Sequence, residues 1–143
     1  MLPLAFEQIT PTDDQIQHLY TLLSKRNHSI SHQNMPSFEQ HKGFVQSHPY
    51  RAWYLIMSST QPIGSVYVSN ENSIGINLLD SSQTDVVKAT LAFVTNNISP
   101  LPAIASVRPR HFVINVAPTN NALKQTLDSL NAPLIQLTYA LNT

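Results

Sequence analysis

The sequence predicts an α/β (α+β) fold in which helices cover both faces of a twisted, mixed and mostly antiparallel sheet. Three observations predict it. Arg51–Ser58, Pro62–Ser69 and Ser73–Leu79 are consecutive apolar runs joined by short polar turns, which is the pattern of an antiparallel meander. Two amphipathic helical patterns come before the meander. After it, helix and strand patterns alternate, as parallel crossovers require. The expected order is β-α-α-β-β-β-α-β-α-β, in a single domain over 1–143.

Leu4–Ile9 alternates as a first strand. Pro11 and Thr12 then open a helix, with Thr12 and Gln15 at capping-box spacing. Ile16, Leu19, Tyr20 and Leu23 form its apolar face, and Lys25 and Arg26 suit the negative pole of its dipole. Pro36 and Ser37 start a second helix, with Ser37 and Gln40 as another capping box and Phe38, Phe44 and Val45 as its apolar side. After the meander, a third helix is expected from about Asp85 to Asn96, with Val86, Val87, Leu91 and Val94 facing the core. The proline-bearing stretch before Phe112 is loop, Phe112–Val116 a strand, and Pro118–Leu130 a turn and helix. Leu134–Leu141 alternates as the last strand.

Eight basic and eight acidic side chains give zero formal charge, which removes the electrostatic footprint of a nucleic-acid binder. No basic run suits an anionic membrane surface, and no apolar stretch approaches the ~18 residues of a bilayer span. The N-terminal run lacks the charged region of a signal peptide, and cysteine is absent, so a cytoplasmic location is expected.

The segment SISHQNMPSFEQHKGFVQSHPYRAWYLI, residues 29–56, resembles a bacterial branch of the GNAT acetyltransferase superfamily, whose members carry a similar ISH-x-x-MP run and a HPY-x-x-WYLI-like strand. PIGSVYVS and SIGI look like the third and fourth strands of that fold. NVAPTNNALKQTLDSLNAPLIQLTYAL is similar to its N-x-N-P-x-N segment, following helix and last strand. The resemblance implies transfer of acetyl from acetyl-CoA to the primary amine of a small molecule, such as an amino sugar, and admits a homodimer without fixing the oligomeric state.

In that family the fourth strand splays from the fifth and takes pantetheine between them, which assigns the backbone of Ile76, Asn77 and Leu78 to the cofactor. Ser82, Gln83 and Thr84 fall on the pyrophosphate loop, and Asn115 and Asn120 on positions that brace it or touch CoA. Met35, Tyr54 and Tyr67 are assigned to the acceptor pocket; of the alternating pair Trp53 and Tyr54, one is core and the other faces the cleft. His32 borders the acceptor pocket, where imidazole accepts a proton from an amine near neutral pH; anchoring its loop is an equal role.

The sequence departs from the family pattern at the phosphate loop. Residues 80–87, DSSQTDVV, contain no glycine, whereas the family curls glycine amides around the pyrophosphate. Ser82 and Asp85 have capping-box spacing, and Asp80 and Asp85 put negative charge where the ligand is negative. Ser73 stands where many members have an acidic residue, and Leu127 where many have a proton-donating tyrosine. These departures frame an alternative: a degenerate member with weak or lost CoA binding, acting as a non-catalytic binding or assembly module. A metal site is not expected, because His41 and His48 share a helix face without a third ligand.

Overall fold

The computed structural model describes residues 3–26 and 35–142. Strand β1 (Leu4–Gln8), helices α1 (Asp13–Ser24) and α2 (Phe38–Gln46), strands β2 (Ala52–Ser58), β3 (Gln61–Val68) and β4 (Ser73–Leu78), helix α3 (Thr84–Asn97), strand β5 (Val113–Ile114) and helix α4 (Asn121–Ser129) follow in order. They build one five-stranded sheet in the order β1-β2-β3-β4-β5. The first four strands pair antiparallel, and β5 pairs parallel to β4 through Ser73–Val113 and Ile74–Ile114.

Alternation along the strands divides the core into two layers. Ile56, Val66, Val68, Ile74 and Ile76 pack under α3 and α4 against Val86, Val87, Val94 and Leu123. Trp53 and Leu55 point the other way and meet Ile16 and Leu19 of α1 and Val45 of α2. The helix starts follow the local chemistry. Ser37 and Gln40 complete their capping box, each side chain taking the other's amide at 3.2 and 3.0 Å. Thr12 accepts from the Gln15 amide at 3.2 Å, but the Gln15 carboxamide reaches past it, accepting from the Thr10 amide and donating to the Gln8 carbonyl. That box is therefore half formed, and the buried Gln15 side chain ties α1 to the end of β1 instead.

Between α3 and β5 lies a long proline-bearing loop, and one buried asparagine holds it. Asn72 sits in the β3–β4 turn with φ 64°. Its Nδ2 donates to the Leu101 and Pro109 carbonyls at 2.9 and 2.8 Å, and its Oδ1 accepts from the Leu101 amide at 2.8 Å. Its own carbonyl accepts from the Val113 amide at 2.9 Å, so the same residue begins the β4–β5 ladder.

Two expectations fail. Ser82 and Asp85 do not cap α3: the N-cap is Gln83, which makes no side-chain capping bond, and Ser82 turns back to Asp80. Leu134–Leu141 is no strand in the single chain, because it finds no neighbour to pair with; β5 stays the last strand and residues 131–142 are exposed.

Candidate active site

The parallel ladder that joins β4 to β5 stops after Ile74 and Ile114, and the two strands part. Which β4 groups face the gap follows from the antiparallel side. The Leu79 amide donates to the Ile63 carbonyl and the Ser69 amide to the Ser73 carbonyl, so odd-numbered residues of β4 spend their backbone on β3. Ile76 and Leu78 therefore aim their amides and carbonyls into the splay, while the main chain of Asn77 is committed to β3. Of the three residues expected to present their backbone to the splay, Ile76 and Leu78 face it and Asn77 does not.

A cavity of about 400 Å³ opens on this splay and runs under α1 and α2. Ile76, Asn77, Leu78 and Asn115 line one end, and Tyr50, Trp53, Tyr67, His41 and Arg26 line the rest. The aromatic wall is rigidly built. Tyr50 and Tyr67 stack with centroids 4.0 Å apart, and Trp53 meets Tyr50, His48 and Phe44 edge-on at 5.1, 5.1 and 6.0 Å. Tyr67 lies flat over Gly75, where a Cβ would run into its ring. The Trp53 indole N–H is buried and makes no hydrogen bond among the described residues. A buried donor left so costs about 1–3 kcal/mol unless something supplies an acceptor.

His41 is buried in the cavity wall, with Nε2 3.2 Å from the Ile16 carbonyl. A carbonyl only accepts, so Nε2 carries the proton and Nδ1 is the ring's proton-accepting atom. Burial lowers the pKa of His41, against the opposing pull of that carbonyl, and burial lowers that of His48 as well. Burial likewise lowers Arg26 and raises Tyr67, and pushes Tyr50 up to about 12, so the phenols stay protonated donors. Arg26 is the only Lys, Arg, Asp or Glu among the described residues lining the cavity.

The other expected positions scatter. Ser82, Gln83 and Thr84 border a separate depression at the start of α3, with Leu4, Ser58 and Ile63. There the Asp80 carboxylate accepts from the Ser82 amide at 3.0 Å and its hydroxyl at 2.5 Å, which holds the Asp80 pKa down. The Ser82 amide is thus already hydrogen-bonded within its own loop. Asn120 is buried as the N-cap of α4, accepting from the Leu123 amide and donating to Ser81 at 3.1 Å. Tyr54 is a correction: it faces α3 and meets Phe93 edge-on, on the opposite side of the sheet from the cavity. Its neighbour Trp53 takes the cleft side. Met35 is exposed and lies outside the cavity lining, where Pro36 stands instead. His32 falls outside the described residues. Arg26, His41 and Tyr50 are among the wall residues that sequence reasoning did not assign to the site; their only signal was their place on or beside α1, α2 and β2.

No family model matches the sequence, and no curated protein matches it. Solved structures do match the fold. The aminoglycoside N-acetyltransferase AAC(6')-Iy in complex with CoA superposes with a TM-score of 0.61 at 11% identity, over 100% of this chain and 96% of that one. The aminoglycoside acetyltransferase meta-AAC0020, from an uncultured soil metagenomic sample, gives 0.56 at 14% identity over 98% and 95%. An acetyltransferase from Thermus thermophilus gives 0.54 at 15% identity over 70% and 72%. The mixed five-stranded sheet and its helices are those of the GNAT acetyltransferase fold.

Proposed function

We propose that the chain is a GNAT-like N-acyltransferase that presents a small primary amine to an acyl thioester lying in the β4–β5 splay. The observation that carries this reading is continuity. One cavity holds both the splay-facing strand end, Ile76 to Leu78 with Asn115, and an aromatic-walled pocket of a size for a small molecule. The bound thioester would supply an electrophilic carbonyl. The chain's own residues would hold the pantetheine amides through Ile76 and Leu78, keep water out with Trp53, Tyr50 and Tyr67, and take the amine's proton.

Two imidazoles are candidates for that proton: His32, from the ISH loop, and His41, whose Nδ1 is a proton acceptor in the cavity wall. Loss of a true general base lowers turnover by about 10²–10⁴. His41→Gln and His32→Gln, assayed separately by thiol release, are expected to divide, with the larger loss and the loss of the acidic pH limb, where the base would be protonated, in one of them. The acceptor we infer is an amine that is not a polycation, because the cavity wall offers no carboxylate among the described residues, which disfavours a polycation such as an aminoglycoside.

The phosphate end of the ligand favours a second reading, a GNAT-fold protein with weak or lost CoA binding that serves as a binding module. Asp80 already occupies the Ser82 amide, and Asp85 adds a carboxylate to the first turn of α3. Thermal shift separates the two readings. Acetyl-CoA at 100 times its Kd adds about 2.7 kcal/mol, and no shift at ~1 mM would remove the catalytic reading. If the loop is the weak point, S-acetylpantetheine, which has no pyrophosphate, binds about as well as acetyl-CoA, and Asp80→Gly with Asp85→Gly raises acetyl-CoA affinity roughly tenfold. An unchanged affinity in that double variant contradicts the electrostatic account of the loop.

A further inference from the structure

Among the described residues the Tyr67 hydroxyl makes no hydrogen bond, although its ring is half-buried in the cavity wall. Tyr67 and Gly75 face each other across the β3–β4 ladder, on the side of the sheet that the cavity covers. With no side chain at Gly75, the ring reaches sideways over β4. Its hydroxyl oxygen comes to 2.6 Å from the position a Gly75 Cβ would take. Stacking on Tyr50, with the planes 10° apart, holds the ring there.

Gly75 lies at the narrow end of the splay. The β4–β5 ladder ends at Ile74 and Ile114, so Gly75 is the first β4 residue past the last pair. Ile76, next to it, aims its main chain into the gap. In the thioester reading of this cavity, on which the present inference rests, the phosphate end of the ligand lies toward the start of α3. The acyl end then lies at the narrow end, beside Gly75.

We propose that the Tyr67 hydroxyl donates a hydrogen bond to the carbonyl oxygen of the bound thioester and holds the oxyanion that forms when the amine adds. Addition of the nitrogen to the carbonyl carbon places the π electron pair on that oxygen. Collapse returns the pair, breaks the C–S bond and releases the thiolate. The amine's proton passes to the imidazole and from it to the thiolate, so the phenol proton stays on Tyr67 throughout. Burial raises the Tyr67 pKa, which suits a donor that shares its proton and does not release it. A donor fixed before the reaction needs no reorganisation as charge develops, and one such donor contributes about 10²–10³ in rate.

Tyr67→Phe keeps the ring, its stack and its approach to Gly75, and removes only the donor. Calorimetric titration of the parent chain and this variant uses S-acetylpantetheine, S-ethylpantetheine, which lacks the carbonyl, and trifluoroacetonyl-pantetheine, whose hydrated ketone mimics the tetrahedral adduct. The variant is expected to bind S-acetylpantetheine about fivefold more weakly, and S-ethylpantetheine within about twofold of the parent. The adduct mimic is expected to weaken about 10²-fold. With an isotope-labelled carbonyl carbon, the bound thioester resonance should lie downfield of the free ligand in the parent and return most of the way in the variant. Parallel losses for the thioester and the thioether, or an unchanged affinity for the adduct mimic, would overturn the Tyr67 assignment alone. Failure of every probe to bind the parent at millimolar concentration would overturn the thioester reading of the splay and this assignment with it.

Discussion

Gly75 leaves no room for a side chain, because the Tyr67 ring lies where a Cβ would go. That close approach sets the depth of the cavity and lets Tyr67 stack on Tyr50 at 4.0 Å. Gly75→Ala is expected to push Tyr67 off the strand and cost about 1–3 kcal/mol in a urea melt, as overpacking does elsewhere. It should also weaken any ligand that shifts the melting temperature of the parent chain. His41 gives a second test. Its folded pKa is lowered, so between that value and about 6.5 the unfolded chain binds a proton that the folded chain refuses. Stability from this source is full above about pH 6.5 and declines as pH falls below it. His41→Gln, which keeps an N–H for the Ile16 carbonyl but cannot titrate, should flatten the melting-temperature profile between about pH 5 and 7. An equally steep profile would show that His48 or another group dominates. Single residues were only partly legible in the sequence. Both faces of β2 are apolar, so alternation places Trp53 and Tyr54 on opposite sides without saying which side holds the cleft.

The helices and the meander could be read directly, because capping residues, prolines and apolar periods are local signals. Ser37, Gln40 and Pro36 set the start of α2 as their spacing predicts. The long connection to β5 could not be read, because what positions it is a contact across 29 and 37 residues of sequence, from Asn72 to Leu101 and Pro109. Asn72→Ala strands three partly buried backbone groups, two of Leu101 and one of Pro109, and removes a residue type that tolerates positive φ. The expected loss is about 3 kcal/mol in denaturant melts, with the β4–β5 splay loosened. A loss below about 0.5 kcal/mol would mean the loop is held by other contacts. The start of α3 was misjudged for a related reason. Ser82 has the spacing of a cap for Asp85, but Asp80 is nearer in the chain and takes its amide and hydroxyl first. The last strand was misjudged because a strand pattern states what a segment needs and not whether a neighbour is there to pair with it.

Across the whole molecule, charge, sheet order and the two-layer core agree with one another. The chain is formally neutral, and its aromatic-walled cavity lies where a parallel pair of strands separates. The GNAT-type arrangement was legible from the element order, because a meander followed by crossovers admits few sheets. The ligand was less so: residues assigned to one cofactor divide between the splay cavity, a separate depression and the buried cap of α4. The central claim is that the splay at Ile76 and Leu78 is a thioester site contiguous with the aromatic pocket. It is tested most directly by following the backbone amide resonances of those two residues, and the Trp53 indole N–H, while S-acetylpantetheine and then acetyl-CoA are added. The account predicts saturable shifts of Ile76 and Leu78 with both ligands, with the Ser82 amide little changed. Ile76 and Leu78 resonances that stay fixed at millimolar ligand would contradict it.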